Sequence, residues 1–115
     1  MLSKHRVAIS RASADALGVL GHQIKLARHA RNWSIADLAA RLGVNPRTVT
    51  NLEAGAPSVS IGTVFNAAFL VGVDLFGLSG PELARARRAG QETLALLPAK
   101  VRKPIMTESH DDFSF

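Results

Sequence analysis

Apolar residues recur every three or four positions along most of the chain between residues 14 and 97, a spacing that predicts short α-helices. In the first predicted helix, which ends near Asn32, one face carries Leu17, Leu20, Ile24 and Ala27. No alternation is long enough for a sheet, and residues 7–9 form at most one short edge strand. The predicted fold class is all-α: a compact five-helix domain with an additional C-terminal helix and an extended tail.

Cap residues define the next helix. Ser34 is a typical N-cap and Asp37 stands three residues later, so the pair resembles a capping box at the start of a helix from Ile35 to Leu42. Gly43 is in the position where a left-handed residue commonly ends a helix.

A third helix begins directly after this glycine. Asn45 is a good N-cap, and Pro46 occupies the first helical position, where its missing N–H costs nothing. Val44 and Val49 have the spacing of a hydrophobic staple, which fixes the angle at which the chain enters the helix.

The fourth predicted helix runs from Ile61 to Val71, between Ser60 as N-cap and Gly72 as its end. Its predicted inward face consists of Ile61, Val64, Phe65, Ala68 and either Phe69 or Val71. The fifth helix is predicted from Pro81 to about Leu97, with Ser79 as cap and a proline after its end.

These elements suggest four segments: a basic arm at 1–13, a helical domain at 14–78, a C-terminal helix at 79–97 and an extended tail at 98–115. In the C-terminal helix, an apolar stripe is predicted to line a dimer axis or, equally well, to cover the chain's own core. Its residues are Leu83, Gly90, Leu94 and Leu97.

The second and third helices, joined by a short turn, must pack their apolar faces at a steep angle. We expect Leu38, Ala39 and Leu42 to face Val44, Val49 and Leu52, with the small Ala39 allowing a close approach. The third helix then presents Arg47, Thr48, Thr50 and Asn51 outward. Arginine pairs with guanine and asparagine with adenine, so this face suits base edges.

The run from Gly21 to Val73 resembles the helix-turn-helix domain of the XRE/Cro repressor superfamily. The resemblance rests on LAARLGV, on TVTNLEAG and on the following helix SIGTVFNAAFLVGV, in that order. It implies that the third helix enters the major groove of a palindromic operator. By position, Arg47, Thr48 and Asn51 are then base contacts.

The same resemblance assigns further roles. The implied phosphate contacts are Ser34, Arg41, Asn45 and Thr50. Arg28 and Glu53 are implied to form a partly buried, structural ion pair. Ile35 replaces a glutamine, and Pro46 a polar residue, that many relatives use for DNA contacts. Basic residues elsewhere (Lys4, Arg6, Arg11 and Arg41) are expected to compensate.

A narrower resemblance concerns the end of the chain. The lengthened loop EAGAPSV, the stretch LALLPAKVRKP and the terminal DDF are similar to HipB-like antitoxins. That family implies a homodimeric autorepressor that also binds and neutralises a HipA-like serine/threonine kinase toxin. Asp111, Asp112, Phe113 and Phe115 would anchor the toxin, although a solvated tail explains them as well.

Charge fits a polyanionic partner. Three of the nine acidic residues lie in the last nine positions, so the chain before them has 14 Lys and Arg against 6 Asp and Glu, a balance of +8. The chain contains no cysteine, no apolar run long enough for a bilayer and no apolar leader, so we expect a cytoplasmic protein.

Catalysis finds little support in the sequence. The four histidines are scattered, and no phosphate-binding loop or nucleophile–base pair is present, so we expect no enzyme activity, no cofactor and no metal. Trp33 is interpreted as a junction residue. Two alternatives to the antitoxin remain: a stand-alone repressor, and a protein-interaction scaffold that does not bind DNA.

Overall fold

The computed structural model describes residues 8–105 of the chain. Within this range the helices are α1 (Arg11–Ala30), α2 (Ile35–Leu42), α3 (Pro46–Glu53), α4 (Ile61–Val71) and α5 (Gly80–Leu94). Residues 8–105 contain five helices and no strand beyond one isolated bridge between Leu75 and Leu78, which confirms the all-α class. The chain divides into two compact units, one up to Gly80 and one from Pro81 onward.

Caps set the bounds of α2 at the predicted residues. The Ser34 hydroxyl accepts a hydrogen bond from the Asp37 N–H at 3.0 Å, and the Asp37 carboxylate accepts one from the Ser34 N–H at 2.8 Å. Gly43 ends the helix with φ of 72°, a left-handed conformation that favours glycine. The capping box and the helix it predicts are therefore both confirmed.

The bounds of α3 and α4 also agree with the sequence. Asn45 caps α3, with Pro46 in its first turn. Ser60 caps α4 by accepting a hydrogen bond from the Thr63 N–H at 3.2 Å, and Gly72 ends it with φ of 87°.

The first helix starts earlier than the apolar pattern predicts. Ser10 is its N-cap and accepts a hydrogen bond from the Ser13 N–H, so residues 11–13, which the sequence pattern assigns to the basic arm, form the first turn of α1. The helix ends at Ala30, and Asn32 has φ of 59°. Ala8 and Ile9 belong to no strand, and Val7 lies outside the described residues.

The fifth helix is shorter than predicted, because it ends at Leu94 rather than near Leu97. The N–H groups of Leu96 and Leu97 donate to carbonyls three residues back, on Thr93 and Leu94. Pro98 disfavours the helical conformation in the residue before it, so the chain leaves α5 through this tighter turn.

The core of the first unit lies among its four helices, and its three largest fully buried side chains are Ile24, Leu38 and Val49. The predicted packing of α2 against α3 is confirmed: Leu38, Ala39, Val49 and Leu52 are buried, and Leu42 and Val44 pack against them.

The predicted inward face of α4 was partly wrong. Ile61 is 69% exposed and Phe69 45% exposed, whereas Ala67 is buried with Val64, Ala68 and Val71. Nearly every position of this helix is apolar, so its periodicity alone does not decide which face turns inward.

A glycine brings the backbones of α1 and α3 together. A Cβ atom built on Gly21 would lie 2.5 Å from the carbonyl oxygen of Glu53 and 2.7 Å from that of Leu52. Any side chain at this position would therefore push α3 away from α1. Gly18, one turn earlier in α1, has no atom within 4 Å of the corresponding position.

Candidate nucleic-acid interface

The third helix has an anchored face and a free face. Val49, Leu52 and Glu53 are buried against the rest of the unit. Arg47 and Asn51 are exposed and lie four residues apart, hence on the same side of the helix. Within residues 8–105, neither of these two side chains has a hydrogen-bond partner, so the polar groups of both are available to a ligand.

The side chains that border this free face are partly engaged. The Asn45 Oδ1 accepts a hydrogen bond from the Arg47 N–H at 2.8 Å, which leaves the amide NH₂ group of Asn45 as a donor. The Thr50 hydroxyl donates to the carbonyl of Pro46 at 3.4 Å, and Thr48 is half-buried. Arg47 and Asn51 are thus the longest unengaged polar side chains of the helix.

The start of α2 combines a hydroxyl with a negative charge. The Ser34 hydroxyl accepts a hydrogen bond from the Asp37 N–H in its cap. The hydrogen bond from the Ser34 N–H lowers the pKa of Asp37, and the one from the Ser34 side chain adds to this. Asp37 is therefore a carboxylate at neutral pH and would weaken phosphate binding at this helix start.

Arg41 lies in a different environment from the residues of α3. Its guanidinium carbon is 4.0 Å from the centre of the Trp33 ring, within the range of a cation–π interaction. Together with Leu42 it lines a groove whose other residues, Asn66, Phe69 and Leu70, belong to α4.

Arg28 and Glu53 tie α1 to the end of α3. The Arg28 Nε and one terminal nitrogen donate to the two carboxylate oxygens of Glu53 at 2.7 and 3.0 Å, and the other terminal nitrogen donates to the carbonyl of Trp33 at 2.9 Å. Both side chains are 5% exposed. The hydrogen bond to Glu53 raises the pKa of Arg28 above its ordinary value. Each of the three guanidinium nitrogens of Arg28 therefore has a hydrogen-bond partner in a buried position.

Several sequence-predicted residues lie elsewhere. Leu83 is half-buried in the second unit, while Leu94 and Leu97 are 65% and 59% exposed. Arg11 is exposed in the first turn of α1. The remaining candidates lie outside the described residues: Lys4 and Arg6 of the arm, and Asp111, Asp112, Phe113 and Phe115 of the tail.

Two features that position this interface do not follow from the sequence pattern. The contact of Gly21 with α3 has only one signal in the sequence, a glycine inside a helix, where it lowers stability unless packing requires it. The stacking of Arg41 on Trp33 has no signal, since the two residues are eight positions apart on either side of a cap.

Residues 8–105 hold no group of three or more His, Asp or Glu side chains placed to bind a metal ion. No helix among them is both long enough and apolar enough to cross a membrane.

A family model described as a helix-turn-helix domain matches residues 19–86, more than half of the 115-residue chain. The matched range begins within α1, includes α2, α3 and α4, and ends within α5. No curated protein and no solved structure matched the chain in the corresponding comparisons.

Proposed function

The chain belongs to this helix-turn-helix family, of the XRE/Cro type, and on that premise we propose that it is a sequence-specific transcriptional repressor of its own promoter. In this proposal α3 enters the major groove, and Arg47, Thr48 and Asn51 contact base edges. Ser34, Asn45 and Thr50 contact phosphates on either side.

The observation that carries the proposal is the division of α3 into an anchored face and a free face. An eight-residue helix is not stable alone, so α3 depends on its buried residues and on the Arg28–Glu53 pair. Arg47 and Asn51 take no part in that anchoring. The helix holds them in place, and their side-chain hydrogen-bonding groups remain available to DNA. This arrangement is the one that reading a base pair requires.

We further propose that the protein acts as a homodimer on a palindromic operator, because two half-sites related by a two-fold axis require two copies of α3. The stripe Leu83, Leu94 and Leu97 is the proposed contact between copies. No residue of α5 is buried, and Leu94 and Leu97 are more than half exposed.

The finer part of the proposal is an antitoxin role. Its support is the resemblance of the C-terminal sequence to HipB-like antitoxins, and the proposed partner is a HipA-like kinase toxin. Asp111, Asp112, Phe113 and Phe115 are the proposed anchor. If no such toxin binds, the chain is a stand-alone repressor, and the DNA part of the proposal is unaffected.

One observation favours a second candidate function, a protein-interaction scaffold without DNA binding. Ile35, at the position where many relatives have a polar DNA contact, is packed against the core. Pro46 likewise offers no side-chain hydrogen bond. The two departures together remove polar contacts from the starts of α2 and α3.

A measurement of DNA binding distinguishes the repressor from the scaffold. Fluorescence anisotropy would measure the affinity of the intact protein for DNA from upstream of its gene, and for scrambled DNA, at several salt concentrations. The expected result is tighter binding to the upstream DNA, with an affinity that falls as salt rises. Equal affinity for both DNAs at every salt concentration would refute the sequence-specific repressor, and the absence of binding to either DNA would leave the scaffold.

The Arg47→Ala variant tests the proposed contact between Arg47 and a base. Loss of a bidentate base contact, worth about 1–3 kcal/mol, should weaken binding to the upstream DNA by about 5- to 150-fold and change scrambled-DNA binding less. Lys25→Ala is the matched control, because it removes one exposed positive charge from α1. If both variants lose the same affinity for both DNAs, Arg47 acts only through its charge.

A further inference from the structure

A groove between the end of α2 and α4 lies outside the base-contacting face of α3, although the family resemblance implies that one of its residues, Arg41, contacts phosphate. We call it the α2–α4 groove; it is lined by Arg41, Leu42, Asn66, Phe69 and Leu70 and has a volume of about 300 Å³. No residue of α3 is among these five. Phe69 is 45% and Leu70 38% exposed, although both lie on a helix whose other face forms the core. Large apolar side chains are thus left open to water here.

A cation is held at the edge of this apolar surface. Arg41 stacks on Trp33 at 4.0 Å, and one of its terminal nitrogens donates to the carbonyl of Asp37 at 3.4 Å. Arg31 lies 5.4 Å from the centre of the same ring, and its Nε donates to the carbonyl of Val71 at 3.1 Å. Two guanidinium groups therefore flank a single tryptophan.

Neither of these cations forms an ion pair with an acidic side chain of residues 8–105, although the charge of Arg41 adds, after the hydrogen bonds from Ser34, to the lowering of the Asp37 pKa. Among residues 8–105, no carboxylate oxygen lies within 4.0 Å of Arg31 or Arg41, and the Asp37 carboxylate is engaged by the Ser34 N–H. The stacking on Trp33 and the hydrogen bond to the Asp37 carbonyl restrict the conformation of the Arg41 side chain. The other N–H groups of its guanidinium remain without a partner among the described residues. An ordered arginine of this kind loses less entropy when it binds a carboxylate.

We propose that the α2–α4 groove binds a protein segment in which a large apolar side chain stands next to a carboxylate. The apolar side chain packs against Leu42, Phe69 and Leu70, and the carboxylate pairs with Arg41 in a charge-assisted hydrogen bond. The Asn66 amide offers a donor and an acceptor to the backbone of the segment. Complementarity of charge and of apolar surface together favour such a segment over DNA, whose phosphates have no apolar group for Phe69 and Leu70.

Peptide selection tests this proposal without knowledge of the natural partner. Random twelve-residue peptides displayed on phage are selected on the intact protein, and enriched peptides are synthesised with a fluorescein label. Their affinities are measured by anisotropy. The tryptophan fluorescence gives a second readout, because Trp33 is the only tryptophan of the chain and contacts Arg41.

Enriched peptides should share an aromatic or large aliphatic residue next to Asp or Glu, and their binding should change the Trp33 emission. Arg41→Ala should weaken them by about 10- to 100-fold, since it removes a hydrogen bond to a charged group. Phe69→Ala should also weaken them. Arg47→Ala, which removes an equal charge from α3, is the matched control and should change peptide affinity less than twofold.

Two results would overturn the proposal. One is enrichment of peptides without carboxylates, or of peptides that bind Arg41→Ala as tightly as the wild type. The other is the absence of any enriched peptide together with a uniform loss of DNA affinity in Arg41→Ala, which would make Arg41 a phosphate contact. Circular dichroism shows whether each variant is folded. Because DNA binding by α3 is measured separately, a failure of this proposal is distinguishable from a failure of the repressor function.

Discussion

Replacing Gly21 by alanine tests how closely α1 and α3 must approach. The new Cβ would lie 2.5 Å from the Glu53 carbonyl oxygen, so one helix must move by about 0.9 Å before the contact reaches the ordinary 3.4 Å. The atoms it meets belong to the backbone and cannot turn aside as a side chain does. The displacement also acts at Glu53, whose carboxylate is held by Arg28.

Two opposing effects determine the result. Alanine stabilises a helix interior by about 1 kcal/mol relative to glycine. Overpacking of a rigid contact costs about 1–3 kcal/mol, and we expect the upper end because backbone lies on both sides. The net expectation is a loss of about 2 kcal/mol from the free energy of unfolding, together with weaker operator binding because α3 is displaced.

Gly18→Ala is the control for this experiment. It lies in the same helix with open space at its Cβ position, so only the propensity effect applies and stability should rise by up to about 1 kcal/mol. Urea unfolding followed by Trp33 fluorescence reports on the unit that contains both glycines. If Gly21→Ala proved as stable as Gly18→Ala, the close approach of the two helices would be refuted.

Three further predictions follow from the hydrogen bonds of the first unit. Glu53→Leu leaves the buried Arg28 charge without its partner and should lower the free energy of unfolding, measured in urea, by about 3–5 kcal/mol. The double variant with Arg28→Met should recover part of that loss. No recovery would mean that the two residues are not coupled. Ser34→Ala removes an N-cap and should lower stability by about 1 kcal/mol in the same assay, and an unchanged midpoint would contradict the capping role. The pKa of Asp37 is lower in the folded state, so its contribution to stability is present above the unfolded pKa of about 3.9 and is lost as the pH falls through the folded value. Asp37→Asn should therefore be less stable than wild type at neutral pH, and its deficit should disappear in acid; a deficit independent of pH would show that the carboxylate charge is irrelevant.

Local chemistry made the bounds of three helices predictable. Ser34, Asn45 and Ser60 each cap a helix through their own side chain, and Gly43 and Gly72 end helices in the left-handed conformation. These effects act over a few residues, so the sequence contains all the information they need. The Arg28–Glu53 pair is a long-range contact, and only the family resemblance indicated it.

Apart from the early start of α1, the features that the pattern missed depend on neighbours distant in the sequence. The inward face of α4 was uncertain because most of its residues are apolar, and Phe69 lies in a groove that α4 shares with the end of α2. The early start of α1 was missed because Ser10 precedes an alanine-rich turn without a clear apolar stripe. The need for glycine at position 21 comes from the short distance between the backbones of α1 and α3, and the spacing of apolar residues carries no information on that distance.

The separation of the two faces of α3 has a consequence for how such a protein can change its target. Val49, Leu52 and Glu53 carry the stability of the helix, while Arg47 and Asn51 carry none of its packing. Substitutions at the free positions therefore have a low folding cost, and a gene duplicate can acquire a new operator without first acquiring a new core. The same property makes Arg47 and Asn51 the positions at which to build a library of repressors with altered operators on an unchanged framework.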